Sequence, residues 1–409
     1  MEIIIALIYV FHQAISPNLD IFYFVSVLLI GKDILQRKEI TVKSLGYIYL
    51  ILLYALLQLL LNEQIEIQRL VVNITKIFLN VFLFLQVRDT FLMQLSLKKM
   101  INTVSISYLI LLLVGLFYKT NLLWRLDDTV NIYQKVRFSL LYFEPSEASF
   151  HVCIVMVLLM YYALREQDLR KNSLNIIFML SNMVIIMLTA GMGGILGLTL
   201  ALVVMYLFYL REKISIERML VFMGLLIISA IGLFLFVTSS SSFYLRINDI
   251  FSGNDGSVVY RLNTSFMVMK QMLLNTQFLG IGFGNLNTSI VQNSYGGYGL
   301  VEVISNSFMY AIAEGGIAMI VLLLLFHMLL LSRIRAGEGM LKYSLFIFIF
   351  IYQIAGGYFT NPVNWVIYGL IGNQLFMSQG LLRSRAVAKR STSQLRYFRI
   401  VGEKHDFQA

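Results

Sequence analysis

The stretch SNSFMYAIAEGGIAMIVLLLLFHMLLL, residues 305–331, carries one acidic side chain, Glu314, and no lysine or arginine. Wound as a helix at about 1.5 Å per residue, it is long enough to cross the ~30 Å hydrocarbon core of a bilayer. Upstream of it lies a polar island, residues 238–304, and beyond the island a further apolar run at 219–237. Comparable runs occupy residues 2–15, 19–31, 45–61, 70–87, 101–118, 147–164, 173–190, 193–210, 343–357 and 363–381, the first two short for a full crossing. Hydrophobic residues make up 58% of the chain and charged residues 13%, with a mean hydropathy of +0.78, whereas soluble domains carry about 25% charged residues. The sequence therefore predicts an all-α, polytopic integral membrane protein of about 12 transmembrane helices, a single membrane domain over residues 1–409.

Charge placement sets the expected orientation. With both termini cytoplasmic, the inner segments hold 23 of the 32 lysines and arginines, as the positive-inside rule requires. Most of the net charge of +10 is then an orientation signal, and the basic cytoplasmic tail, residues 382–409, rests against anionic membrane lipid rather than nucleic acid. Met1–Ile15 lacks the basic leader and small-residue cleavage site of a signal peptide and is expected to stay as the first span. The single Cys153 lies in an apolar run, where it packs as a small hydrophobe. The four histidines, His12, His151, His327 and His405, are far apart in sequence; the spacing offers no metal site, and no cofactor is expected.

Two outer loops remain for chemistry: residues 119–146, and the main loop 238–304. Pro17, Pro145 and Pro362 are the only prolines, each at a span boundary, so Pro-broken substrate helices are not indicated while Gly-broken ones stay open, and the absence of an evident internal repeat weighs against the two-halved plan of many transporters. At the exit of the first loop, Pro145 suits the first position of a helix and Glu147 faces the positive end of its dipole, a capped helix start. Glu144 lies where that helix start, Arg137 and the bilayer surface converge, a place for a carboxylate in acid/base work.

In the main loop Arg246 follows a serine run, and Leu262, Phe266, Met269 and Leu273 recur at helical spacing. They predict an amphipathic helix on the membrane surface with Arg261, Thr264 and Ser265 on its polar flank. Gly280, Gly282, Gly284 and Asn285 follow. Without a preceding strand they are no nucleotide fingerprint, and they let backbone approach a ligand or a neighbouring helix. Gly296, Gly297 and Gly299 make the rest of the loop pliable. Asn306 opens the next span and Glu314 falls about 12 Å further along it, below the interface. An ionisable group at that depth is a functional candidate, or a structural partner of a neighbouring loop.

The order of these features resembles the O-antigen polymerase (Wzy-type) family of the O-antigen polymerase and ligase superfamily: Phe-Glu-Pro-Ser at 143–146, the turn Thr189-Ala-Gly-Met-Gly-Gly194, the helix led by Arg261, the alternating glycines to Asn285, and Asn306 through Glu314-Gly-Gly. The resemblance covers roughly residues 137–330. It implies a fold like that of the class C glycosyltransferases, with two large periplasmic loops, in the bacterial inner membrane, and an active site facing the periplasm. It also implies metal-independent transfer of a glycan from undecaprenyl diphosphate onto another lipid-linked repeat unit, with a chain-length regulator and a flippase as possible partners.

Such a reaction needs cations for the departing diphosphate, where arginine forks fit better than lysine, and an oriented or deprotonated acceptor hydroxyl. On the resemblance, Arg261, Arg246 and Arg137 bind diphosphate, Glu144 or Glu314 is the acceptor base, and Asn306 orients. Ser305 stands where related ligases carry a histidine, which favours a polymerase over a ligase. Met192 stands where many relatives carry an arginine, so that cation is either missing or replaced by Arg137. A ligase-like transferase and a lipid-linked oligosaccharide flippase are the alternatives; a flippase needs polar groups at mid-span, of which Asn73, Lys76 and Asn80 are the main examples.

Overall fold

A computed structural model describes residues 1–14, 20–37, 42–61, 65–91, 95–126, 133, 135–166, 169–211, 220, 223–224, 227, 241–298, 304, 306–335, 338–356 and 359–374. The chain is a helical membrane protein. Its helices are α1 Glu2–Phe11, α2 Tyr23–Arg37, α3 Val42–Leu61, α4 Ile67–Gln86, α5 Leu97–Phe117, α6 Pro145–Arg165, α7 Leu169–Thr189 and α8 Met192–Arg211. After these come α9 Ser241–Ser252, α10 Ser265–Asn275, α11 Ser289–Tyr295, α12 Ser307–Ser332, α13 Gly339–Ala355 and α14 Pro362–Gly372. A short antiparallel pair, β1 Trp124–Arg125 and β2 Arg137–Phe138, interrupts the helices in the first loop, with Trp124 opposite Phe138.

Among the described residues six helices are long and apolar enough to cross a membrane: Ile67–Phe91, Leu97–Phe117, Pro145–Arg165, Asn172–Thr189, Met192–Arg211 and Ser307–Ser332. The expectation of about twelve is met only in part. The run at 2–15 yields ten helical residues, which rise about 15 Å, half of a hydrocarbon core. Among the described residues the last run, expected over 363–381, is helical over the 11 residues Pro362–Gly372, and positions 375–381 lie outside them. The ninth expected span, 219–237, lies outside the described residues except at positions 220, 223, 224 and 227, and the tail 382–409 lies outside them entirely.

Capping explains several helix starts. Asn306 caps α12 by accepting from Phe308 N–H (3.1 Å) and Met309 N–H (3.2 Å); Asn361 caps α14 with Pro362 in the first turn; Pro145 opens α6. Each satisfies or removes an N–H that a helix start leaves unpaired. α6 is buried almost all round and is the centre of the bundle, packed by α7, α8 and α13. Small residues permit close packing where α8 meets α13: the Cα of Gly197 faces the Phe348 ring, where a Cβ would lie 3.3 Å from it. α1 packs on α5, and α4 on α2 and α14.

The main loop forms its own apolar core from Val268, Met272, Leu286, Val291 and Ile304, closed by Ala313 of α12. The predicted amphipathic stripe is corrected here. Met269 and Leu273 are buried, but Leu262 and Phe266 are exposed. A π-helical segment, Tyr260–Thr264, precedes α10 and shifts Leu262 out of phase with it, while Phe266, inside α10 with Met269 and Leu273, lies at the edge of the buried face. The rod from Gly256 to Asn275 thus has one apolar face turned inward and exposed Leu262, Phe266, Met267 and Leu274 outside it. Ser265, expected on the polar flank, is buried and donates to the Tyr260 carbonyl at 3.1 Å.

Candidate functional site

The residues singled out by sequence fall into three clusters. The first surrounds a break in α12. Gly316 has φ +62° inside the helix, a left-handed value that favours glycine, and a Cβ there would meet Phe278 O at 2.3 Å. The glycine loop fills the break as a backbone partner. Ile281 N–H donates to Ala313 O (2.9 Å), Gly282 N–H to Glu314 O (3.1 Å), and Ile317 N–H to Phe278 O (3.0 Å). From α3, Gln58 Nε2 donates to Glu314 O (2.8 Å) and Leu279 O (3.0 Å), and the Tyr54 hydroxyl donates to Gly315 O (2.7 Å). Every donor and carbonyl named here would otherwise be an unpaired polar group in an apolar setting.

Gly280, at φ +81°, lies so close to α12 that a Cβ would stand 2.5 Å from Gly316 N; Gly284 abuts the Arg69 carbonyl of α4, and Gly282 abuts Ile65. The neighbour these glycines approach is therefore the protein itself. Asn285 is buried within the loop, accepting from Glu66 N–H (3.1 Å) and donating to Ile281 O (3.0 Å). The Glu314 carboxylate, 2% exposed, accepts from Asn73 Nδ2 at 3.0 Å and Leu286 N–H at 3.4 Å. Of the two roles open to Glu314 in the sequence, this geometry is that of a partner for the loop. Asn306 is the cap of α12, and Ser305 lies outside the described residues.

The second cluster lies where α6, α8 and α14 begin. Ser149 Oγ of α6 donates to Gly191 O, just ahead of α8, at 3.3 Å, and Asn361 Nδ2, the cap of α14, donates to Glu147 Oε1 at 3.4 Å. Three helix N-termini, each with the positive end of its dipole, are thereby gathered. Arg137 is buried on β2, its Nε donating to Thr189 O at 2.9 Å, in the turn that leads to Met192. The one replacement open for a cation at 192 does reach that turn. Glu144, expected where the α6 start and Arg137 converge, pairs with Arg125 of β1, Nη1 to Oε1 at 2.7 Å, and is exposed.

The third cluster holds Arg246 and Arg261. Arg246 pairs with Asp255 (3.4 Å) and stacks its guanidinium over the Tyr133 ring at 5.7 Å. Tyr133 donates to Asp249 Oδ2 at 2.7 Å, which pushes its hydroxyl up to about 12. Asp255 in turn caps the rod that carries Arg261, accepting from Val258 N–H at 3.0 Å. Burial alone would raise the Asp255 carboxyl; the Ser257 hydroxyl, the Val258 N–H and Arg246 outweigh it and hold the group below its ordinary range. Arg261 is half-buried in the π-helical segment.

Sequence separation hid one further group. His12 and His151, 139 positions apart, have ring centroids 4.9 Å apart beside Glu147. Their signal was faint: a histidine near the end of one apolar run and another one helical turn after Glu147. The described residues contain no group of three or more side chains suited to hold a metal. The chain matches no protein-family model and no curated protein.

Proposed function

We propose that the protein is a metal-independent glycosyltransferase that polymerises undecaprenyl diphosphate-linked oligosaccharide repeat units into O-antigen or a related surface polysaccharide. It would act at the periplasmic face of a bacterial inner membrane, with both termini in the cytoplasm. The observation that carries this reading is the meeting of three helix N-termini beside buried Arg137. Helix starts and a guanidinium both favour phosphate oxygens, and a diphosphate is the leaving group of this transfer. The exposed apolar side chains of the Gly256–Asn275 rod fit a surface element that meets the lipid tail of the carrier.

The arginines divide by position. Arg137 belongs to the helix-start cluster. Arg261 and Arg246 belong to the loop, where Arg246 also holds the cap of the rod. Glu144, exposed beside Arg125, is more accessible to an acceptor than the enclosed Glu314. The flippase alternative draws less support, because Asn73 and Asn80 of α4 are engaged with Glu314 and with the Thr360 carbonyl (2.8 Å) rather than lining a path.

The test is the lipid-linked glycan pool of cells lacking the protein. Single repeat units in place of chains support a polymerase; long polymer left on the carrier identifies a ligase; and loss of carrier-linked glycan from the outer leaflet identifies a flippase.

A further inference from the structure

Beside the helix-start cluster, on the side away from Arg137, lies a group of largely buried polar side chains of which the foregoing roles use only Glu147, the acceptor of Asn361. His12 and His151 are each 0% exposed. His12 Nδ1 lies 2.7 Å from the Tyr9 carbonyl, which can only accept, so in the neutral ring Nδ1 bears the proton and Nε2 the lone pair. Among the described residues that Nε2 has no hydrogen-bond partner, and neither ring nitrogen of His151 has one. Buried polar atoms are otherwise almost always paired. Glu147 completes the group: its Oε1 is 3.8 Å from His151 Nε2, and its side chain is 21% exposed, so it alone of the three connects with the surface.

The unmet atoms define the ligand. His12 offers a lone pair, and neutral His151 offers one N–H and one lone pair. A hydroxyl accepts from the His151 N–H and donates its single proton to one acceptor, and the Glu147 carboxylate, 3.8 Å from His151 Nε2, is the most basic acceptor there. A phosphate oxygen does not fit, because it brings no proton and would face the carboxylates of Glu147 and Asp20, which share this environment with His12.

We propose that Glu147, backed by His12 and His151, takes a sugar hydroxyl of the acceptor glycan and receives its proton, in place of Glu144 and Glu314, to which the resemblance gives that role; the inference rests on the glycosyltransferase reading above. The acceptor O–H bond breaks and its proton passes to the Glu147 carboxylate. The oxygen forms a bond to the anomeric carbon of the donor. The bond from that carbon to the diphosphate oxygen breaks, and the carrier diphosphate leaves with the electron pair. Glu147 is the catalytic residue; His151 is the positioning residue that donates its N–H to the hydroxyl, and His12, with its ring centroid 4.9 Å from that of His151, positions His151. The titratable groups facing Glu147 are His12 at the end of α1, Asp20 in the turn after it, Tyr142 ahead of α6, and His151 on α6 itself.

The experiment uses the full-length protein reconstituted in vesicles with an undecaprenyl diphosphate-linked repeat unit, and measures chain growth between about pH 5 and 9. The wild-type rate should fall on the acid side as Glu147 takes up a proton. Glu147→Gln should lose about 10²- to 10⁴-fold in rate and the acid limb with it, and Glu147→Asp should keep a displaced limb. His12→Gln and His151→Gln should raise the acceptor KM more than they lower kcat. A Glu147→Gln variant with the wild-type rate, or with a lower rate but the wild-type acid limb, overturns the proposal and leaves the polymerase reading intact. If Glu147→Gln does not accumulate as folded protein, Glu147→Asp decides: a limb coincident with wild type overturns the proposal. Wild-type protein that makes no chains overturns both.

Discussion

The side-chain amide of Asn73 on α4 donates to Glu314 Oε2 on α12 across 3.0 Å, in surroundings closed to solvent on both sides. A buried carboxylate left without donors, or a buried amide left without an acceptor, costs about 1–3 kcal/mol. Asn73→Ala and Glu314→Ala should each lower stability by about that amount, measured by thermal unfolding in detergent, and the double variant should lose less than the sum. Additive losses would mean that the two side chains act independently.

Gly280→Ala should be far worse than Gly296→Ala. At Gly280 the new Cβ meets backbone of α12 at 2.5 Å and the φ is +81°; at Gly296 nothing lies within 4 Å. Left-handed backbone alone costs an alanine about 1–2 kcal/mol, before the collision. Folded yield by size exclusion should fall sharply for the first variant and stay at the wild-type level for the second.

Asp255 predicts a pH response in the main loop. Its carboxyl is held below the ordinary range in the folded protein, so its stabilising effect is fully present above the unfolded pKa and fades as pH falls through the lower folded one. Hydrogen exchange over residues 256–275 should quicken below about pH 4. Asp255→Asn should raise exchange at neutral pH and remove the acid response of this segment.

The arginines should separate by substitution. Arg246→Ala removes the partner of Asp255 and should loosen the loop as well as reduce polymer. Arg261→Lys and Arg137→Lys keep the charge but lose the planar fork, so chain growth should drop while folded yield holds. Wild-type chain length and yield in both lysine variants would make these residues anchors rather than diphosphate ligands.

Orientation is testable across α12. Tyr298→Cys should react with an impermeant thiol reagent in intact spheroplasts, and Ser332→Cys only after permeabilisation. The native Cys153 is buried, which keeps the background low.

How much of this the sequence discloses depends on the range of the interaction. Helix starts at Pro145, Asn306 and Pro362 were legible because capping is local, acting within one turn. The phase of Leu262 against α10 was not, because a π-helical segment leaves no mark in apolar spacing. Glu314 stood out as an acid in an apolar run, but its enclosure by Asn73 and Gln58 joins positions 241 and 256 residues away. The alternating glycines announced close approach without naming the neighbour. The meeting of His12 with His151 depends on α1 reaching the start of α6, a tertiary outcome that no spacing encodes.

The stitch between the glycine loop and the break in α12 also constrains the order of assembly. The carbonyls of Ala313 and Glu314 and the N–H of Ile317 find partners in residues 278–282, on the far side of a long polar segment. A polar backbone group without a partner in hydrocarbon costs several kcal/mol, so α12 enters the bilayer with an incomplete upper half. It becomes a stable span only after the segment before it has folded back onto the break. Assembly of this helix is thus conditional on its neighbour, and a chain whose loop fails to form should expose α12 to quality-control proteolysis before any question of activity arises.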